Sequence, residues 1–124
     1  MRFCWVTVTV KDMKESLSFY TDIVGLTVDR QSTPRPGTEI AFLGSGPTKV
    51  ELIWHEQADT PRYGKGLSIG FEVDSVDALI ETLGGKGITE VDGPYQPTPA
   101  IKFFYLEDPN GVRVQFVENI AAGG

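Results

Sequence analysis

Residues 5–28 read WVTVTVKDMKESLSFYTDIVGLTV, and two successive rhythms within them decide the fold. Trp5 to Val10 alternate strictly, so Val6, Val8 and Val10 share one face of a strand and Trp5, Thr7 and Thr9 share the other. The valines are expected to face the core. From Asp12 the period changes. Asp12 has the character of a helix N-cap with Glu15 three residues on, and Met13, Leu17, Tyr20 and Val24 recur at helical spacing up to Gly25. A strand feeding an amphipathic helix is therefore the unit from which the rest of the chain is read.

Beyond that unit, residues 26–31, 39–44 and 49–55 have strand character, separated by Thr33-Pro34-Arg35-Pro36-Gly37 and Gly44-Ser45-Gly46-Pro47. The first half is βαβββ. After a polar stretch at 57–65, Leu67, Ile69, Phe71 and Val73 alternate into Asp74, expected to cap a helix carrying Val76, Leu79, Ile80 and Leu83 and ending at Gly84-Gly85. Residues 88–91, 101–106 and 112–118 complete three more strands, with Asp108-Pro109-Asn110-Gly111 supplying a hairpin turn. The halves superpose in pattern, with Asp12 on Asp74 and Leu17 on Leu79, a shift suited to a duplicated domain rather than a solenoid. Strands and helices in this order could also build a doubly wound parallel sheet. Three strands per helix with short turns favour an α+β fold with antiparallel sheets and helices on one face.

A chain of 124 residues can bury a core without a staple, and its single cysteine, Cys4, excludes an internal disulfide. A reducing, cytoplasmic setting is the simplest expectation, with no signal peptide and no membrane span of about 18 apolar residues. Eleven basic and seventeen acidic residues give a net charge of −6, with the cations scattered, which argues against nucleic acid as a partner. The acidity permits a cationic ligand.

Three stretches together resemble the vicinal-oxygen-chelate superfamily, which includes glyoxalase I, bleomycin-resistance proteins and extradiol dioxygenases. They are VTVTVKDMKESLSFYTDIVGLTV at the start, KVELI in the middle and FFYLEDPNGVRVQFVE near the end. The resemblance implies a single domain over 1–124 made of two βαβββ modules, about 1–56 and 66–120 with a linker at 57–65, whose sheets curve into an open mixed barrel around a concave pocket. It also implies pairing of chains into homodimers. Catalytic members hold a divalent metal through four side chains, two from each half, usually His and Glu, and the metal acts as a Lewis acid. In this chain the four positions fall on Trp5, Glu51, Ser68 and Gln115. Indole cannot ligate a metal, serine is a poor ligand, and glutamine lacks the charge that helps hold a cation. His55, the only histidine, lies four residues past Glu51 on the same strand, about 13 Å away at strand rise, so the two cannot share one ion without a bulge. No metal and no cofactor is expected.

Alternation then assigns the concave face to Trp5, Thr7, Thr9, Glu51, Ile53, Ser68, Glu72, Phe103, Tyr105, Gln115 and Val117. A register slip of one residue would exchange Phe103 and Tyr105 for Phe104 and Leu106. An aromatic lining with carboxylates suits a planar or cationic small molecule held by stacking and cation–π contact. The expected function is metal-independent binding of such a ligand, with Trp5, Thr7, Glu51, Ser68, Glu72, Phe103, Tyr105 and Gln115 in contact with it. The alternative is an isomerase or lyase using Glu51 as general base, with an atypical divalent metal site as a variant of that reading. A pure interaction module is a third reading, to which no motif lends support.

Overall fold

The valine face of the first strand turns to the core, with Val8 and Val10 buried and Val6 half-buried. In a computed structural model that describes residues 1–57, 59 and 61–120, Val8 and Val10 are 2 % and 4 % exposed, while Trp5 on the other face is 44 % exposed. The chain divides into two compact units, Met1–Arg62 and Tyr63–Gly124. The division falls inside the expected linker at 57–65, of which positions 58 and 60 lie outside the described residues, as do 121–124. Among the described residues no helix is long and apolar enough to cross a membrane.

The first unit runs β1 (Trp5–Thr9), α1 (Met13–Ser18), a π-helical turn (Phe19–Ile23), β2 (Val28–Arg35), β3 (Thr38–Leu43) and β4 (Lys49–His55). Its sheet has the order β1-β4-β3-β2, with β1 parallel to β4 and the other pairs antiparallel. The second unit runs β5 (Ser68–Glu72), α2 (Val76–Gly85), β6 (Asp92–Thr98), β7 (Ile101–Glu107) and β8 (Arg113–Asn119), in the order β5-β8-β7-β6 with the same pattern of directions. Each half is thus βαβββ, and each four-stranded mixed sheet is open, ending on two different strands. This is the α+β duplication expected from the pattern.

One face of each sheet forms a core. In the first unit Ala41, Leu43 and Leu52 are fully buried together with Tyr20 from the π-helical turn. In the second, Phe104 and Phe116 stack with ring centroids 5.1 Å apart, alongside buried Val114, Val76 and Leu83. Each buried valine, leucine and phenylalanine among them contributes roughly 1.5–3 kcal/mol of transfer free energy. Burial of Phe104 settles the register of β7 and leaves Phe103 and Tyr105 on the opposite, open face.

Five local expectations are corrected. The first helix does not keep one period to Val24. After Ser18 it widens into a π-helical turn closed by Val24 N–H donating to the Phe19 carbonyl at 3.1 Å, and before that turn Ser16, in phase with Met13 and Tyr20, is fully buried while Leu17 is only half-buried. The second helix is capped by Ser75, whose Oγ accepts from the Ala78 N–H at 3.1 Å, and not by Asp74. Asp12 does cap the first, accepting from Glu15 N–H at 2.9 Å. Leu67 precedes β5 and is 79 % exposed, so only Ile69 and Phe71 of that alternating run lie within the strand. The fourth correction concerns β2, which continues through Pro34 to Arg35, and the fifth β6, which occupies Asp92–Thr98 with Pro94 and Pro97 instead of 88–91. Both are outer strands, where a residue with no N–H to donate is tolerated. The turn between β2 and β3 is left to Pro36-Gly37, with Gly37 at φ +82° and a Cβ there only 2.9 Å from Glu56 Oε2.

Candidate functional site

In the first unit, cross-strand register lines up Thr7, Glu51, Phe42 and Arg30 across all four strands on the open face. Val50 and Leu52 turn to the core on either side of Glu51, so its carboxylate stands, half-buried, on that face. Thr7 Oγ1 donates a hydrogen bond to Glu51 Oε1 at 2.5 Å, which fixes the carboxylate against β1. Trp5 meets the Phe42 ring edge-on, centroids 5.2 Å apart, and the Arg30 guanidinium lies 4.4 Å above Phe42. Trp5, Thr7 and Glu51 are therefore brought together. His55 stands at the end of β4, paired with Thr38 and 3.3 Å from its Oγ1 through Nδ1.

In the second unit the corresponding line is Gly70, Gln115, Tyr105 and Asp92. Gln115 Nε2 donates to the Tyr105 hydroxyl at 3.4 Å, and its side chain lies over Gly70, where a Cβ would come within 3.3 Å of its Oε1. Phe103 and Tyr105 are in edge contact at 5.7 Å. Ser68 and Glu72 share this face but sit on the outer strand β5, four residues apart, so about 13 Å separates them and one ligand group cannot touch both. Glu72 accepts a hydrogen bond from Asn119.

The same face holds a group that alternation could have supplied in part. Arg113 lies two residues before Gln115 on β8, with its guanidinium 3.6 Å over the Tyr105 ring and Nη2 donating to Asp92 Oδ2 at 3.0 Å. Asp92 Oδ1 accepts in turn from the Tyr95 hydroxyl. That hydrogen bond, with help from Arg113, holds the Asp92 carboxyl below its ordinary range, and the same bond pushes the Tyr95 phenol above its own. Arg113 was legible as a residue in phase with Gln115. Asp92 and Tyr95 were not, because their strand contains two prolines. Two cavities flank the group. One of about 450 Å3 is lined by Gly64, Lys65, Glu90, Asp92, Tyr105, Leu106, Glu107 and Arg113. The other, about 440 Å3, is lined by Tyr95, Gln96, Pro97, Phe103, Tyr105 and Arg113.

The donors present do not fit a family-type metal. Of the four corresponding positions, Trp5 points an indole at Phe42, Gln115 spends its amide on Tyr105, Ser68 offers a neutral hydroxyl, and Glu51 alone is an anionic donor. Among the described residues no three His, Cys, Asp or Glu side chains cluster to hold an ion.

Comparison with known proteins agrees with this architecture. The family model of the Glyoxalase/Bleomycin resistance protein/Dioxygenase superfamily matches residues 2–116. A lactoylglutathione lyase of Escherichia coli O157:H7 is 29% identical over 133 aligned residues, covering 99% of this chain and 96% of its own. Among solved structures, the trypanothione-dependent glyoxalase I of Leishmania major superposes with a TM-score of 0.74 at 23% identity, covering 95% of this chain and 86% of that one. TnmS3, an antibiotic binding protein from Streptomyces sp. CB03234, superposes with a TM-score of 0.72 at 22% identity over 96% of both chains. At those identities the two structures speak for the fold.

Proposed function

The chain belongs to the Glyoxalase/Bleomycin resistance protein/Dioxygenase superfamily, and from that premise we propose that it is a metal-independent binding protein for a planar or cationic small molecule. The observation that carries this reading is Trp5. Where the metal enzymes of the family have a histidine, this chain presents an indole 44 % exposed, braced edge-on by Phe42 and one strand away from the Glu51 carboxylate. An aromatic face beside a carboxylate suits stacking and charge pairing with a flat cation, and it requires no Lewis acid. Homodimer formation and a cytoplasmic location, expected from family and composition, belong to the same proposal.

Two measurements test it. Elemental mass spectrometry after incubation with zinc, nickel, manganese and iron salts and desalting is expected to find no stoichiometric metal. Near-stoichiometric metal would sink the metal-independent reading. Proflavine, a planar cation, is expected to raise the melting temperature, and Trp5→Ala and Glu51→Gln to abolish the rise. A rise unchanged in both variants would remove this face from the site.

Lactoylglutathione lyases among the relatives, together with the anchored carboxylate of Glu51, favour a second reading, an isomerase or lyase with Glu51 as general base. It predicts turnover of an α-hydroxy or α-keto substrate that Glu51→Gln eliminates while substrate binding persists. Absence of turnover in the wild type removes it.

A further inference from the structure

Charge is unevenly divided around Arg113. On one side, the cavity of about 450 Å3 carries the carboxylates Glu90, Asp92 and Glu107 against Lys65 and Arg113. On the other, the groove of about 440 Å3 has Arg113 as the only charged residue among its described lining, and the rest is Tyr95, Phe103, Tyr105, Pro97 and Gln96. Three aromatic rings stand in series along that groove, Tyr95 to Phe103 at 5.7 Å and Phe103 to Tyr105 at 5.7 Å. Tyr95 is 45 % exposed, a large ring that no core requires.

We propose that this groove on the second sheet is a subsite for a planar aromatic carboxylate, its ring against Tyr95 and Phe103 and its carboxylate on the Arg113 guanidinium. The proposal deepens the binding reading above and rests on it. A guanidinium presents five N–H donors, and here Nη2 is engaged by Asp92, so the fork retains donors for a second carboxylate. Its position is already fixed by the Tyr105 ring beneath it and by Asp92, whose other oxygen holds Tyr95, the first ring of the series. Cation and stacking wall are thus built as one piece before a ligand arrives, which lowers the ordering cost of binding. A ligand cation would find the Tyr105 face occupied by a like charge at 3.6 Å, whereas an anion meets an opposite one. The acidic cavity beyond Arg113 repels that anion and so confines it to the aromatic side.

Calorimetric titration of the full chain with naphthoate, naphthamide and naphthylmethylammonium tests the proposal. Naphthoate is expected to bind roughly tenfold more tightly than the isosteric amide, with the ammonium weakest, and the preference to shrink at high salt. Arg113→Met, which keeps the aliphatic stem, is expected to make naphthoate and naphthamide equal. Failure of naphthoate to bind, equal affinity for the amide in the wild type, or a preference that survives Arg113→Met each overturns the subsite. The wild-type ligand series needs no variant, so the refutation stands even where Arg113→Met does not fold. If proflavine binds through Trp5 while naphthoate does not bind, only the subsite falls. If neither binds, the binding reading falls with it.

Discussion

The two sheets are the same scaffold carrying opposite chemistry. Register equates Glu51 with Gln115, Thr7 with Gly70, Phe42 with Tyr105, and Arg30 with Asp92, each pair standing at the same place relative to its neighbours. In the first sheet the carboxylate is at the centre and the arginine on the outer strand. In the second the centre is a neutral amide, the outer strand carries the carboxylate, and the arginine comes from β8. Yet an arginine covers the central aromatic ring in both, Arg30 over Phe42 at 4.4 Å and Arg113 over Tyr105 at 3.6 Å, reaching it from different strands. Duplication fixed where side chains project. It did not fix their charge, which is why the ligands proposed for the two faces differ in sign.

The strongest test of that equivalence is in the core. Leu52 and Phe116 follow Glu51 and Gln115 and are 0 % and 1 % exposed. Leu52→Ala is expected to cost about 3 kcal/mol and Phe116→Ala about 4 kcal/mol in denaturant unfolding, and a loss under about 1 kcal/mol at either would break the claim that both positions anchor a core. A smaller contrast separates the helix caps. Asp12→Ala should cost about 1 kcal/mol, and Ser75→Ala about half as much, because Glu118 Oε1 also accepts from the Val76 N–H at 2.9 Å. Equal losses would show that Glu118 adds nothing. Thr7→Val, which removes the donor to Glu51, should cost about 0.5 kcal/mol at this exposed site, and loss of the proflavine response in that variant would link the bond to binding.

The smallest effect is a pH dependence confined to the second sheet. Folding lowers the Asp92 pKa from its ordinary 3.8, so its contribution to stability is present above that value and disappears as pH falls through the lower folded one. Folding raises the Tyr95 pKa from 10.0, so its contribution is present below that value and disappears as pH rises through the higher folded one. Asp92→Asn should therefore flatten the acid limb of a stability profile, and an unchanged limb would separate Asp92 from the group around Arg113.

Much of the fold was legible because burial enforces periodicity. The valines of β1, the strand 49–55 and the cap at Asp12 are local consequences of which face meets the core. Reading broke down at the sheet margins. Pro34, Pro94 and Pro97 signal turns when met in sequence, and only the position of β2 and β6 at the outside of their sheets makes them acceptable in strands. The site followed the same division. Trp5, Thr7, Glu51 and Gln115 were placed on open faces by alternation, Phe103 and Tyr105 needed the burial of Phe104 to decide their register, and Asp92 and Tyr95 were lost with their strand. The π-helical turn at Phe19–Ile23 is a local widening that no spacing rule announces.

Those prolines have a second consequence. An outer strand displays a row of unpaired donors that can recruit another strand, the first step toward edge-to-edge aggregation. Pro34 interrupts that row on β2, and Pro94 and Pro97 interrupt it on β6, so one margin of each sheet is closed to such templating. The opposite margins, β1 and β5, are five residues each and carry no proline. Proline thus disfavours strand addition beside β2 and β6, a protection that Trp5–Thr9 and Ser68–Glu72 lack.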